Sequence, residues 1–291
     1  MPRKRKQKPR ARKKSFTPNE KALAFFELAR IKNCIMAAVA ILIGFFIASG
    51  ADYFSAGIAA LSGFLVCAGG QAINDYFDRK IDAISSKNRP IPSGKVSARQ
   101  ALWFSLALFI IGIGFAGQIN VTAQFIAILM TILLIAYPLF MNKVKYVGNV
   151  IVALGTAITF VYGAAAAGNV LPLIIALSAS AFFSNMAREV TKDIEDVKKD
   201  SKAKKTLPLI LGLKKSKAFP VVYYALAILV SIWVFFYFKV NPGYFFVALI
   251  GAVFFIYSAQ ILLNNNAKKS QGISKLGMLI SLIAYILAGL K

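Results

Sequence analysis

The sequence predicts an all-α, polytopic membrane protein in which nine transmembrane helices surround a central cavity, as two four-helix halves plus one further helix. Three observations predict this fold: the apolar composition, the recurrence of long apolar runs, and the one-sided distribution of basic residues. The 291-residue chain is 58% hydrophobic, with a mean hydropathy of +0.66. Soluble domains contain only about 45–50% apolar residues, so this composition excludes a soluble fold.

The apolar runs set the predicted number of helices. Nine of them approach the roughly 20 residues that a helix needs to cross a bilayer. They lack the alternation of polar and apolar residues that is typical of a membrane β-barrel, so strands are excluded. The predicted spans are 33–49, 54–73, 101–117, 121–140, 147–166, 169–187, 218–238, 243–262 and 273–290.

The basic residues predict the orientation of these spans. Thirty-three of the thirty-five Lys and Arg residues lie in segments that share one side of the membrane if nine helices cross it alternately. Only Lys239 and Lys291 lie on the other side. Because basic residues concentrate on the cytoplasmic side, we expect a cell-membrane protein with a cytoplasmic N-terminus and an outer C-terminus. The basic segments are 1–32, 74–99, 141–147, 188–217 and 264–275.

The N-terminal tail and the residue usage limit the possible functions. Residues 1–20 are basic and lack apolar periodicity, so we expect a disordered tail ahead of a transmembrane domain that covers 21–291. The net charge of +24 is interpreted as contact with anionic membrane lipids, and nucleic acid is not expected as a partner. The chain has no His, which excludes a Ser-His-Asp triad and a His-ligated haem. Cys34 and Cys67 lie in predicted spans and do not indicate a zinc site.

Carboxylates mark the candidate site. Eight of the eleven acidic residues lie in two short segments, 74–82 and 189–200, at the cytoplasmic ends of the second and sixth predicted spans. In the first segment, Asn74, Asp78 and Asp82 are spaced i, i+4 and i+8, which places them on one stripe of a helix. Asp75 lies about a quarter turn from that stripe.

The second acidic segment has the same arrangement. Its acids are spaced i, i+4, i+7 and i+11, which again forms a single helical stripe with basic residues beside it. The two stripes end helices that are four spans apart, so we expect each four-helix half to present one stripe to a shared cavity. The acids of this second stripe are Glu189, Asp193, Asp196 and Asp200.

Two acidic stripes beside basic residues predict a magnesium–diphosphate site. Mg²⁺ is bound by carboxylates together with substrate phosphate oxygens, and Lys and Arg neutralise the remaining phosphate charge. Simple pairing of the acids with neighbouring bases is the alternative interpretation. Two non-enzymatic alternatives are a cation transporter, whose site would normally lie near the membrane midplane, and a non-catalytic membrane scaffold.

The motifs resemble those of a known family. The pattern Asn74-Asp75-x-x-Asp78-x-x-x-Asp82, followed by the segment 88–94 (NRPIPSG), resembles the first signature of the UbiA-type intramembrane prenyltransferases. The pattern Asp193-x-Glu195-Asp196-x-x-x-Asp200, followed by 205–208 (KTLP), is similar to their second signature. That resemblance implies nine helices and the transfer of a prenyl group from an isoprenyl diphosphate donor.

Within the family, the segments 74–94 and 188–196 most resemble the archaeal digeranylgeranylglyceryl phosphate synthases. This implies transfer of geranylgeranyl from its diphosphate to a lipid-like glycerol phosphate acceptor, with formation of the second ether bond of archaeal lipids. The alternative within the family is an aromatic acceptor, such as 4-hydroxybenzoate, a quinone precursor, or the haem or chlorophyll type.

The resemblance also implies roles for individual residues. The implied metal is Mg²⁺, as two ions. The metal ligands would be Asn74, Asp75, Asp78, Asp82, Asp193, Asp196 and Asp200, of which Asp78, Asp82, Asp196 and Asp200 are the expected catalytic residues. The expected substrate-binding residues are Arg79, Lys143, Lys145, Lys192, Arg30, Asn33, Arg89 and Tyr137. Phe160 and Tyr162 are further candidate rings for stabilising an allylic cation.

Overall fold

A computed structural model describes residues 16–138, 145–197 and 206–290, and none of these residues belongs to a β-strand. The helices are α1 (Pro18–Ala29), α2 (Ile31–Ile47), α3 (Tyr53–Ser85), α4 (Ala98–Gly117), α5 (Val121–Ala136), α6 (Lys145–Ala166), α7 (Pro172–Glu195), α8 (Leu207–Leu211), α9 (Leu213–Ser216), α10 (Ala218–Phe238), α11 (Pro242–Leu263) and α12 (Ala267–Gly289).

The all-helical membrane fold is confirmed, but the predicted count of nine spans is not. Seven helical stretches of the described chain are long and apolar enough to cross a membrane. The pair α1 and α2, bent by 46° at Arg30, would make an eighth if it forms one span. The apolar helix α5 has only 16 residues, fewer than the roughly 20 of a typical span.

The helices can be followed along the chain as two groups of neighbours, and the predicted division into two four-helix halves stays a prediction. In the first group α2 packs on α3, and α3 packs on both α4 and α5. In the second, α6 packs on α7, α7 on α10 and α10 on α11. The last helix, α12, contacts α11, α7 and α2. Contacts of α6 with α2, α3 and α5 join the two groups.

The crossing of α2 and α6 depends on two glycines. A Cβ added to Gly44 of α2 would collide with the carbonyl of Phe160, and one added to Gly163 of α6 would collide with the carbonyl of Ile41. Small residues let helix backbones approach closely in membrane proteins, where packing rather than the hydrophobic effect drives association. These glycines therefore hold the two helix groups together.

Both acidic segments lie at the same end of the bundle. Asn120, between α4 and α5, donates hydrogen bonds to the carbonyls of Ala165 and Ala166 at the end of α6. The start of α6 is therefore at the opposite end, where α3 ends and α4 begins. There, Asn149 contacts Asp193 near the end of α7, so the ends of α3 and α7 share that end.

Helix α1 corrects the predicted N-terminal boundary. Thr17 caps α1 and forms a capping box with Glu20, and Pro18 occupies the first turn. Both features favour a helix start. The predicted disordered segment 1–20 therefore extends too far, because residues 18–20 are helical. Residues 1–15 lie outside the part of the chain that the structure describes.

Candidate active site

The first acidic motif lies on helix α3, and its aspartates are buried in the protein. The 33 residues of this helix continue without a break through Asn74 to Asp82, as the spacing predicted. Asp75, Asp78 and Asp82 are only 5%, 7% and 5% exposed. Ionised carboxylates are this deeply buried only when a cation or hydrogen-bond donors compensate their charge.

Two arginines supply that compensation. Arg30 Nη2 lies 2.7 Å from Asp75 Oδ1, and Arg89 Nη1 lies 2.6 Å from Asp82 Oδ2. Arg89 Nη1 is also 3.4 Å from Asp75 Oδ1. Asn74 Nδ2 donates to Asp78 Oδ2 at 3.4 Å. The first motif is therefore a network of acids and guanidinium groups.

The loop 86–97 folds back to bring Arg89 to the motif. The Arg89 amide donates to the Ser86 carbonyl, and the Ser93 amide donates to the Arg89 carbonyl. Gly94 then takes a left-handed conformation, with φ of 82°, which favours glycine. Val96 is buried against α1. Because these contacts fix the loop, Arg89 is positioned by local structure and by packing.

The charge of Arg89 is stabilised by its partners. Burial disfavours the protonated guanidinium and by itself would lower the pKa. The carboxylates of Asp75 and Asp82 act in the opposite direction and outweigh burial, so the pKa of Arg89 lies above its usual value. Arg89 therefore remains a cation at any physiological pH.

Arg30 lies at the bend between α1 and α2. Its backbone has φ of 49° and ψ of 56°, a left-handed conformation that is unusual for a residue other than glycine. The Arg30 amide donates to the Glu27 carbonyl, which closes α1. The residue that permits the bend therefore also pairs with Asp75.

Helix α7 holds the second acidic motif. Glu189 is 6% exposed and Asp193 is fully buried. Arg188 Nη1 lies 2.6 Å from Glu189 Oε1, and Lys192 Nζ lies 3.5 Å from Glu189 Oε2. Asp196 is the half-buried C-cap of the helix. The predicted stripe is therefore helical as far as Glu195.

Asp193 receives a hydrogen bond from a residue that the sequence interpretation missed. Asn149 Nδ2 donates to Asp193 Oδ2 at 2.7 Å, and Asn149 itself is 3% exposed. The available signal was a lone amide near the start of an otherwise apolar span, because polar groups in such spans are usually functional or paired. The partner lies 44 residues away along the chain, so only the fold identifies it.

Helix α6 and the end of α5 lie between the two motifs. Leu134 of α5 packs against Gly70, four residues before Asn74. One turn later, the Tyr137 ring lies against Gly148 of α6, beside Asn149. Tyr137 therefore lies beside the segment of α6 that carries Asn149.

The oxygen-rich motifs fit Mg²⁺. No three carboxylates of the described chain converge on one point, but Mg²⁺ is usually held by one or two carboxylates together with substrate phosphates. Asp78 and Asp82 could supply such ligands on α3, and Asp193 and Asp196 could do so on α7. Asp200 lies outside the described residues.

Comparison with known proteins identifies the family. The model of the UbiA prenyltransferase family matches residues 37–283, which include both acidic motifs. The chain belongs to the UbiA prenyltransferase family. The resemblance that the two motifs suggested is therefore confirmed, together with the assignment to a prenyltransferase family.

Curated relatives of this UbiA-family chain share one name. A digeranylgeranylglyceryl phosphate synthase of Thermococcus kodakarensis is 36% identical over 274 residues, which cover 92% of this chain and 98% of the relative. The enzyme of the same name from Methanococcoides burtonii is 37% identical over 275 residues, which cover 90% and 98%. Both alignments extend over nearly the whole relative.

Solved structures confirm the UbiA fold. A structure of digeranylgeranylglyceryl phosphate synthase matches with a TM-score of 0.77 and 34% identity, and covers 93% of this chain and 99% of that one. A UbiA homologue from Aeropyrum pernix matches with a TM-score of 0.79 at 18% identity, and the shared regions cover 88% and 97% of the two chains. A homologue from Archaeoglobus fulgidus, bound to GPP and Mg²⁺, has a TM-score of 0.67 at 20% identity and covers 90% and 99%.

The structure describes the surroundings of some of the other predicted substrate-binding residues of this UbiA-family chain. Arg79 donates to the carbonyl of Tyr76 at 2.6 Å and stacks over the Tyr76 ring, with its guanidinium carbon 4.3 Å from the centroid. Asn33 is exposed. Lys143 and the Lys145 side chain lie outside what the structure describes.

The two further candidate rings belong to the packed interior. Phe160 packs edge-on against Tyr285, with ring centroids 5.5 Å apart. The Tyr162 hydroxyl donates to Ser62 Oγ at 2.8 Å. Both rings are almost fully buried, whereas Tyr137 contacts Gly148, the residue before Asn149.

Proposed function

We propose that this protein catalyses Mg²⁺-dependent transfer of a geranylgeranyl group from geranylgeranyl diphosphate to the free glycerol hydroxyl of geranylgeranylglyceryl phosphate. The observation that carries the proposal is 36–37% identity, over 98% of their length, to relatives named digeranylgeranylglyceryl phosphate synthase. The product would contain the second ether bond of an archaeal membrane lipid.

The proposed donor site uses both acidic motifs. Two Mg²⁺ ions would neutralise the diphosphate and the charge that develops on it as it leaves. The proposed catalytic ligands are Asp78, Asp82, Asp196 and Asp200. Asn74, Asp75 and Asp193 complete the proposed ligand set. Asp75 accepts from both arginines, which supports a role in holding these cations as well.

The proposed acceptor site uses the arginines of the first motif. Arg30 and Arg89 have side chains that are 32% exposed, while Asp75 and Asp82 are almost fully buried. A guanidinium group has five N–H donors in a fixed plane. Each arginine can therefore pair with its carboxylate and also donate to the phosphate of the acceptor. Asn33, three residues after Arg30, is a further proposed contact.

The remaining proposed residues would bind the prenyl diphosphate or stabilise the allylic cation. Lys192, beside Glu189, and Lys143, Lys145 and Arg79 would donate to phosphate oxygens. For Arg79, binding to a phosphate oxygen would require its hydrogen bond to the Tyr76 carbonyl to break. Tyr137 would direct its ring at the allylic cation, because aromatic faces attract cations.

The reaction breaks the bond between C1 of the geranylgeranyl chain and the diphosphate oxygen, and the electron pair leaves with the diphosphate. The glycerol hydroxyl oxygen then forms the new bond to C1. Its proton passes to a motif carboxylate or to the released diphosphate. Exclusion of water from this site prevents hydrolysis of the allylic cation.

We place the protein in the cell membrane with its N-terminus and both motifs on the cytoplasmic side. The one-sided distribution of basic residues supports this orientation. The shared end of α3 and α7 agrees with a single site on one side.

An acceptor panel tests the proposed function. Purified protein with labelled geranylgeranyl diphosphate and Mg²⁺ is given geranylgeranylglyceryl phosphate, 4-hydroxybenzoate or a quinone precursor in parallel. We expect label to move to the glycerol phosphate lipid. Transfer to an aromatic acceptor alone would overturn the proposed acceptor while retaining a prenyltransferase.

A further inference from the structure

The contact between Asn149 and Asp193 links two buried side chains from different helices. Asn149 lies in the second turn of α6, and Asp193 lies near the end of α7. They are 3% and 0% exposed, and the 2.7 Å distance from Nδ2 to Oδ2 is short for an amide donor.

The position of Asn149 is fixed from both sides along α6. The Tyr146 hydroxyl is hydrogen-bonded to the Tyr223 hydroxyl of α10. At Gly148, the Tyr137 hydroxyl occupies the space that a Cβ would fill. Within four residues, α6 therefore contacts α10, α5 and α7, which leaves the Asn149 amide little freedom to move.

An amide so placed fixes the orientation of the Asp193 carboxylate plane by holding Oδ2. Partners that orient metal ligands in this way typically change metal affinity or activity by about 10–100-fold when they are removed.

We propose that Asn149 is a positioning residue that holds the Asp193 carboxylate oriented toward the metal–diphosphate site. This inference rests on the proposed function, because it assumes that Asp193 is a metal ligand. It concerns a residue outside both acidic motifs.

The chain offers a matched control for a test. Asn185 of α7 is also buried, and it donates to Thr156 Oγ1 of α6. It therefore makes the same kind of hydrogen bond between the same two helices, but it does not contact an acidic motif residue through that bond. A loss of helix packing alone would affect N149L and N185L alike.

The experiment measures Mn²⁺ affinity, by electron paramagnetic resonance, in the full-length protein in detergent with an unreactive analogue of the prenyl diphosphate. We expect N149L to weaken Mn²⁺ binding by about 10–100-fold, while N185L binds as the unmodified protein does. In a D193A background, N149L should have no additional effect, because its target is gone. Thermal unfolding should shift by a similar amount in N149L and N185L.

Either of two results would overturn this inference alone: Mn²⁺ affinity that is unchanged in N149L, or equal weakening in N185L. Absence of Mn²⁺ binding by the unmodified protein would also overturn it, together with the proposed metal site. If only the proposed acceptor is wrong, the Mn²⁺ results should not change, because these measurements do not use an acceptor. Transfer of label to an aromatic acceptor would thus leave the role of Asn149 intact.

Discussion

Arg30 Nη2 lies 2.7 Å from Asp75 Oδ1, and Arg30 is also the left-handed residue at which α1 bends away from α2. The first acidic motif is thereby joined to a helix that packs on the loop 86–97 through Val96. Because the same loop carries Arg89, the motif, the loop and α1 form one connected unit.

Removal of the Arg30 guanidinium should destabilise the protein. R30A leaves the buried Asp75 with a weaker counter-charge, and loss of one partner of a buried pair costs about 3–5 kcal/mol. Since Arg30 is one-third exposed and Arg89 also contacts Asp75, we expect only about 1–2 kcal/mol. Unfolding in mixed detergent measures this free energy. K32A, at an exposed neighbouring position, is the control, and equal stability of R30A and K32A would contradict the prediction.

Loss of a motif carboxylate should slow transfer strongly without unfolding the protein. D78A removes a proposed metal ligand, and lost stabilisation of developing charge lowers kcat by about 10²–10³-fold. The measurement is prenyl transfer together with a thermal melt of the same sample. D52A is the control, because Asp52 is an exposed helix cap at the other end of α3. D52A should remain active, and activity of D78A near that of D52A would count against the metal site.

Closing the space between α2 and α6 should be costly. G163A places a methyl group against the Ile41 carbonyl, which cannot move like a flexible side chain. Overpacking of this kind costs about 1–3 kcal/mol. G114A is the matched control, because a Cβ on this helical glycine of α4 meets no atom within 4 Å. We expect G114A to unfold at or above the melting temperature of the unmodified protein, and G163A to unfold below it. The reverse order would contradict the close approach of α2 and α6.

Loss of the Arg89 side chain should raise the KM for the acceptor more than the KM for the prenyl diphosphate donor. R89A removes one of the two arginines proposed to bind the acceptor phosphate, so we expect the KM for the glycerol phosphate acceptor to rise by about 10-fold or more. The KM for the prenyl diphosphate should change less, because Arg89 would act on the metal ligands only indirectly, through Asp75 and Asp82. K87A, in the same loop, serves as the control. A larger change in the donor KM would place Arg89 at the diphosphate instead.

The sequence predicted those features that depend on local patterns. The spacing of Asn74, Asp78 and Asp82 was enough to place them on one helical stripe, and α3 confirms that continuous helix. The family resemblance followed from the same residues and is confirmed. Hydrophobic runs likewise located the main helices, because burial in lipid imposes a minimum length on each span.

The contacts that connect distant segments were not predictable. Arg30 and Asp75 are 45 residues apart, and Asn149 and Asp193 are 44 apart. No periodicity relates such pairs, because they meet only after the helices pack. The position of the Arg79 side chain was not predictable either. Its guanidinium binds the carbonyl and the ring of Tyr76, three residues earlier on the same helix. The predicted count of nine spans is not confirmed, because α2 and α5 of the described chain have only 17 and 16 residues.

The most direct test of the central claim follows both substrates into one product. The protein is incubated in Mg²⁺ with ¹⁴C-labelled geranylgeranyl diphosphate and ³²P-labelled geranylgeranylglyceryl phosphate. The account predicts a single lipid that carries both labels in equal amounts and is lost when a chelator removes Mg²⁺. A ¹⁴C product without ³²P, or transfer that persists without the metal, would contradict it.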